Sequence, residues 1–330
     1  MAENFNQQDF NRMVTHPVQS YAWGEFRRAN GATVERLVVD GKGFTVTFHR
    51  LPVIGKTIGI LTQCHMTTKK VIEQLKILGA KHGAISIKVE PYIFHEISQV
   101  DTLAEDRGKL TALGLVKSKD LYPAFSFVID LSKSEDELLS AMKSKTRYNV
   151  NLANKKNLKI EISTDDKAFD HYLKLLAETT KRQAFYAHTK TYQQAMWRAM
   201  KSAGMAKVIT ASFDNEVLAA FILFEFGGRL YYPYGASTRS HRELMAPQLL
   251  MWEAILYGKK MGYREFEMWG SLGETYDENN SWVGFHRFKA GFGGAHVAYV
   301  SAYDLILSPL WYHLYVTIEK LRWLFLKRIK

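Results

Sequence analysis

One order of local signals occurs twice in this chain, and it narrows the possible folds more than any other feature. Residues Thr33–Val39 alternate apolar and polar side chains as a half-buried strand does, and "DGKG" from Asp40 marks a hairpin turn. "FTVTFHRL" and "TIGILTQ" read as two further strands. An amphipathic helix over "TTKKVIEQLKILGAKHG" follows, with Val71, Ile72, Leu75 and Leu78 on one face and Gly83 closing it. "AISIKV" is then a strand that runs into Glu90-Pro91. Further along, "AKVITASF", "EVLAAFILFEF" and "LYYPYGAS" are three strands, with turns at Asp214-Asn215 and Gly227-Gly228 between them. A helix from Pro247 to Met261 and the strand "REFEMW" complete the same order. Two copies of one strand–strand–strand–helix–strand unit predict a tandem α/β protein and not a solenoid.

A chain of 330 residues suits two domains. The expected division is a first domain over 1–130, joined by a C-terminal helix over 305–330, and a second over 131–304. A helical section lies between the copies. It opens with a capping box, Ser134 to Glu137, in "SEDELLSAMKSKTRYNVNLANKKN", and continues in "DKAFDHYLKLLAETTKR" and "YQQAMWRAMKSAG". No Gly/Ser/Pro-rich linker separates the halves, so two domains packed across a ligand-binding cleft are expected.

Cys64 is the single cysteine, so no disulfide within the chain is possible. The start, "MAENFNQQDFNRM", lacks the apolar core of a secretory signal, and no run of about eighteen apolar residues occurs. A cytoplasmic monomer is the expectation. The formal charge of +11 favours an anionic partner: nucleic acid, a phosphorylated substrate or acidic lipid.

Stock catalytic motifs are absent. There is no phosphate loop, no Gly-x-Ser-x-Gly elbow, no His-Glu-x-x-His and no Cys-x-x-Cys pair, so no metal is expected. Cys64 and His65 are neighbours on a strand, point to opposite faces and would not meet. "FHRFKAGFGG" at 285–294 is different: Phe285, Phe288 and Phe292 surround Lys289, and an ammonium among rings is costly unless it has a partner. "MKSKTRYNVNLANKK" carries Lys143, Lys145, Arg147, Lys155 and Lys156 with no acid, a run for RNA phosphates or a solvated helix face. Tyr231, Tyr232 and Tyr234 suit nucleobase stacking or a core strand. The last segment, "LSPLWYHLYVTIEKLRWLFLKRIK", places Leu314, Ile318, Leu321, Phe325 and Ile329 on one face. With Lys320, Arg322, Lys327, Arg328 and Lys330 it suits an anionic membrane surface or a helix docked on the first domain.

The repeated unit, with its helix between two strands, has the layout of an N-acetyltransferase-like (GNAT) fold. Acetyl-CoA users carry a glycine-rich loop ahead of that helix; here "GASTRSHRELMAPQLL" has no glycine after Gly235 and offers Arg239, His241 and Arg242 instead. "HPVQSYAWGEFRR", "IKVEPY", "VIDLSKSEDELLSAMKSKTRYNVNLANKK", "RLYYPYGAS", "WGSLG" and "FHRFKAGFGGAHVAYVSAYDLIL", in this order, resemble the FemABX family. These are aminoacyl-tRNA-dependent transferases that build peptidoglycan cross-bridges. The resemblance covers nearly the whole chain. It implies tandem GNAT-like domains, an aminoacyl-tRNA donor, a peptidoglycan-precursor acceptor, lipid-linked or nucleotide-linked, and no cofactor beyond the tRNA co-substrate. The long helical arm of staphylococcal-type members has no counterpart here.

Carried over residue by residue, the resemblance makes Phe288-Lys289 the family's phenylalanine-lysine pair. Tyr234 matches its strand tyrosine, Glu90 its acidic residue in the first domain, and Tyr192 a tyrosine of the helical section. For the acceptor's phosphates, Glu25 occupies the family's basic position, and Arg27 or Arg28 is the substitute; Lys190 is the second cation. Arg239 and Arg242, just before a helix N-terminus, suit phosphate. Lys289 would stabilise the oxyanion of ester aminolysis or bind a tRNA phosphate, and Glu90 would accept a proton or orient the acceptor. The alternatives are an acyltransferase of the same fold using acyl-CoA and a non-catalytic RNA- or precursor-binding protein.

Overall fold

The computed structural model describes residues 6–52, 54–183 and 188–328, with side chains up to residue 320 in the last helix. Side chains from Leu321 on, Lys327, Arg328 and Lys330 included, lie outside the described residues. Tertiary contacts divide the chain into two compact units: Met1–Phe94, Gln99–Leu121 and Tyr299–Lys330, and His95–Ser98 with Tyr122–Ala298.

The first unit is built on a six-stranded sheet. Its spatial order is Thr33–Val39, Lys42–Arg50, Thr57–Cys64, Ala84–Pro91, Tyr303–Ile306, Val116–Lys117. The first hairpin turns through Asp40 (φ 50°) and Gly41 (φ 74°), the left-handed pair that a two-residue hairpin needs. Strands Thr57–Cys64 and Ala84–Pro91 are parallel, so the chain must cross over between them. Helix Lys69–Lys81 makes that crossing, capped by Thr68, with Val71, Ile72 and Leu75 buried.

The second unit holds an eight-stranded sheet. It runs Phe94–Glu96, Ala295–Tyr299, Phe125–Asp130, Glu265–Glu267, Arg229–Ser237, Glu216–Phe226, Ala206–Phe213, Lys159–Ser163. Here too one pair, Arg229–Ser237 with Glu265–Glu267, is parallel, and helix Ala246–Lys260 makes the crossover. This helix is apolar nearly all round, with Leu249, Leu250, Met251, Trp252, Ala254 and Ile255 buried, because it sits in the main core rather than on the surface. Each unit thus repeats the expected order.

The sequence-based division differs from the contact units at both of its boundaries: residues 122–130 and His95–Ser98 go to the second unit, and residues 299–304 go to the first, where Tyr303–Ile306 pairs with Ala84–Pro91. Phe125–Asp130 hydrogen-bonds on one side to Glu265–Glu267 and on the other to Ala295–Tyr299, which places it in the second sheet. The helical section is also more broken than its sequence suggested. Glu135–Ala141, with the capping box formed, and Ser144–Asn154 are separate helices, because Met142 is extended (ψ 145°). Strand "REFEMW" ends at Glu267, since Trp269 is left-handed (φ 56°).

The last helix, Pro309–Arg328, is anchored to its own unit by Tyr312, whose hydroxyl donates to Asp304 Oδ2 at 2.9 Å. No described helix is long and apolar enough to cross a membrane.

Candidate functional site

Lys289 sits on helix Val283–Ala290 and is fully buried. Its Nζ donates to the carbonyls of Met268 and Gly270, the latter at 2.9 Å. It also lies 3.7 Å from the ring centroid of Phe285 and 5.2 Å from that of Tyr232. The aromatic setting read from the sequence is therefore a real cation–π contact, and the missing partners are two main-chain oxygens. Burial pushes the Lys289 pKa well below its ordinary value, and the charge of Glu267 acts in the opposite sense.

The two carbonyls flank Trp269, a bulky residue in the left-handed region that costs about 1–2 kcal/mol. Three more bonds hold this turn. Glu267 Oε1 accepts the Trp269 N–H at 2.8 Å, Ser126 Oγ accepts the Gly270 N–H at 3.1 Å, and Ser126 donates to Glu267 Oε1. Gly270 (φ 126°) is obligatory there, since a Cβ would lie 2.6 Å from Pro123. Lys289 is thus also the clamp of a strained turn.

Beside this turn the second unit holds a cavity of about 680 Å³. Tyr232, Phe285 and Phe288 form an aromatic part of its wall, and Arg239 and Arg242 a cationic part. The first turn of helix Ala246–Lys260, which no side chain caps, also lines it. A helix N-terminus and two guanidiniums attract anions; Glu243 in the same wall offsets part of that charge. Among the described residues neither Arg239 nor Arg242 has an acidic partner. Gly235 is needed at the wall, because a Cβ there would sit 1.9 Å from the Tyr232 hydroxyl.

The expected site residues fall into groups. Phe288, Arg239 and Arg242 line the cavity, whereas Lys289 lies behind Phe285 and Tyr232 and does not line it. Tyr234 and Tyr192 interact: burial, and then the Tyr192 phenol, raise the Tyr234 pKa. Tyr172, fully buried on helix Asp166–Gln183, is raised by burial and then by Tyr234 and Tyr232. Lys190 is exposed at the start of helix Lys190–Ser202 and does not line the cavity. Glu90, Arg27 and Arg28 belong to the other unit. Glu90 is buried at the end of strand Ala84–Pro91. Arg28 is spent on Glu25, at 2.8 Å from both carboxylate oxygens, because one helical turn separates them. Arg27 is half-buried.

Two further expectations are resolved by packing. Cys64 is buried and burial pushes its thiol up, so it is no nucleophile. Arg147, one of the basic run, caps helix Glu135–Ala141: its Nη1 donates to the carbonyls of Leu139, Ser140 and Met142 at 3.1–3.3 Å. Lys143, Lys145, Lys155 and Lys156 are exposed.

Sequence reasoning missed Glu267, Ser126 and a buried Ser271–His286 pair, whose Oγ and Nδ1 are 2.6 Å apart. Burial, then His296, Lys143 and Arg287, lower the His286 pKa, so its ring is neutral near pH 7. The acid in "REFEMWG" was the available signal for Glu267; nothing local marks Ser126.

Comparison with known proteins accords with this geometry. Residues 140–278 match a family model described as an acetyltransferase (GNAT) domain. The chain is 20% identical to a lipid II:glycine glycyltransferase of Staphylococcus epidermidis, over 96% of this chain and 94% of that one. The Staphylococcus aureus protein of the same name is 19% identical over 94% of this chain and 93% of its own. The first alignment spans 404 positions against 330 residues here, so that relative carries segments this chain lacks. Among solved structures, FemX matches with a TM-score of 0.82 at 18% identity, over 94% of this chain and 98% of that one. L-PGS from Bacillus licheniformis matches with a TM-score of 0.53 at 11% identity, over 86% and 90%. The fold is a tandem pair of GNAT-like units.

Proposed function

We propose that this chain, an aminoacyltransferase of the FemABX family, moves an amino acid from aminoacyl-tRNA to the stem-peptide amine of a lipid-linked peptidoglycan precursor. The observation that supports it most is the cavity of the second unit. It pairs two arginines that have no acidic partner among the described residues with an aromatic wall backed by a buried lysine. Phosphate and a stacked base at the 3′ end of a tRNA are the chemistry such walls accept. The names of the full-length relatives supply the acceptor class and make glycine a candidate for the transferred residue.

In this reading the acceptor nitrogen attacks the ester carbonyl. A C–N bond forms, the C–O bond to the terminal ribose breaks, and the ribose oxygen leaves with a proton. The ester is already activated, so orientation supplies much of the acceleration. Negative charge on the carbonyl oxygen is stabilised by the positive charge of Lys289, screened little in an aromatic surround. Arg239 and Arg242 hold donor phosphate, Phe288 and Tyr232 the terminal base, and Tyr234 and Tyr192 position the substrates. For the acceptor, Glu90 takes or relays the proton, and Arg27 and Lys190 bind phosphate; Arg28, already paired with Glu25, is demoted.

The test is direct. The chain is incubated with charged tRNA and with lipid-linked or nucleotide-linked precursor, and products are weighed by mass spectrometry. The expected product gains one amino-acid residue, only on the lipid-linked precursor, and ribonuclease abolishes it. Ribonuclease-resistant transfer from an acyl-CoA, or binding without turnover, overturns this reading.

A further inference from the structure

We propose that Glu267, fixed by Ser126, is a positioning residue that keeps Lys289 charged and seated on the Met268–Gly270 turn. The proposal rests on the reading above only for what the charge is used for, since the contacts themselves belong to the second unit. A fully buried ammonium has lost its water. Two carbonyl dipoles and a ring face replace part of that hydration. What they do not replace favours release of the proton, and a nearby anion opposes that release.

Glu267 is the anion placed to do so. It is 2% exposed, ends strand Glu265–Glu267, and is separated from the first Lys289-bound carbonyl by one peptide link. Its Oε1 accepts from Ser126 and from the Trp269 N–H, bonds that favour a carboxylate over a carboxylic acid. Ser126 is itself fully buried and holds the same turn through the Gly270 N–H.

The other titratable groups on the surrounding elements do not compete. Burial raises the Tyr232 pKa, so the phenol is neutral, and it lowers that of His286, so the ring is neutral. Glu265, on the same strand, is bound to Arg229. Arg287, next to His286, is paired with Glu278 at 2.6 Å on the surface. Among the described residues, the charge of Glu267 is the one that acts to keep Lys289 protonated. Neutralising it should leave the turn's hydrogen bonds possible, since an amide oxygen also accepts, while removing the charge.

The experiment needs no substrate. Chain carrying 15N-lysine is titrated, and the Lys289 side-chain resonance is assigned by its loss in Lys289→Met. In Glu267→Gln, Lys289 is expected to release its proton about one pH unit or more below wild type. Glu267→Asp, which keeps the charge, should titrate close to wild type, and Ser126→Ala should move in the direction of Glu267→Gln but by less. An unmoved titration in Glu267→Gln, with or without loss of thermal stability, overturns the proposal. If that variant does not fold, an unmoved titration in Ser126→Ala does the same. In transfer assays the alkaline limb of the rate profile should follow the Lys289 titration downward. A moved titration in a chain that transfers nothing upholds the link between Glu267 and Lys289 and sinks the transfer reading instead.

Discussion

Lys289 was visible in the sequence as an ammonium among phenylalanines, and its burial and ring contact follow that pattern. Its hydrogen-bond partners were not legible, because main-chain carbonyls carry no residue signature; Ser126, which fixes the same turn, lies far away in the chain. The double role of Lys289 changes what its replacement does. Lys289→Met should slow transfer by about two orders of magnitude or more. It also orphans two buried carbonyls, so thermal denaturation should show a stability loss of about 1–3 kcal/mol. Unchanged turnover in the folded variant removes the catalytic role. The pH dependence has a definite sign. The folded pKa of Lys289 lies below its ordinary 10.5, so between the two the unfolded chain binds more protons. Stability should therefore gain a positive slope as pH rises through that window. The slope should disappear from the Lys289→Met melting profile, and identical profiles would contradict it. Cys64 gives a simpler expectation: its buried thiol should resist alkylation until denaturant is added, and Cys64→Ala should retain transfer.

At the scale of elements, periodicity recovered the strands of the two repeated units and the two crossover helices, because each buries one defined face, but not the strands outside those units. It failed where tertiary contacts decide. Phe125–Asp130 joins the second sheet by pairing with strands from the far end of the chain, which no local window contains. The break at Met142 depends on Lys143 N–H donating to the Gly291 carbonyl, another long-range bond. Arg147 shows the same limit. In sequence it belongs to a basic run for RNA phosphates or a solvated helix face, yet it caps the preceding helix. Arg147→Ala should therefore cost about 1–2 kcal/mol of stability, read by denaturant melting, with little change in RNA affinity. A large loss of RNA binding without destabilisation would favour the phosphate-contact reading. Strand Arg229–Ser237, which leads toward helix Ala246–Lys260, makes a complementary case. Gly235→Ala would drive a methyl into the Tyr232 hydroxyl, displacing that ring. Weaker donor binding, measured by titrating charged tRNA, is expected together with a stability loss of about 1–3 kcal/mol from overpacking; unaltered binding would mean the donor does not use this wall.

For the whole molecule, the last helix bears on where the protein works. The sequence left two readings: a helix docked on its own unit with a basic face in water, or a helix on a membrane. The structure has the docking contact, and more. Tyr312 is buried against Asp304, while Leu310, Leu314 and Ile318 are 79%, 47% and 54% exposed. Residues four apart share one helical face, and Leu310 lies about half a turn of the wheel from Tyr312. The helix thus holds its unit by one side and presents an apolar stripe on the other. The membrane reading places this stripe at the boundary between headgroups and acyl chains. A lipid-linked acceptor keeps its pyrophosphate at that boundary. Each cation near an anionic leaflet adds about 1 kcal/mol, and Lys327, Arg328 and Lys330 follow in the sequence. Leu314→Asp with Ile318→Asp should reduce co-sedimentation with anionic vesicles, as should neutralising the three terminal cations. Salt should weaken binding of wild type and the aspartate variant, but have less effect once the cations are gone. Both variants should lose activity on lipid-linked precursor in vesicles while keeping it on a detergent-dispersed one. If wild type and both variants sediment alike, the stripe faces something other than a membrane, and the acceptor's lipid plays no part in holding the enzyme.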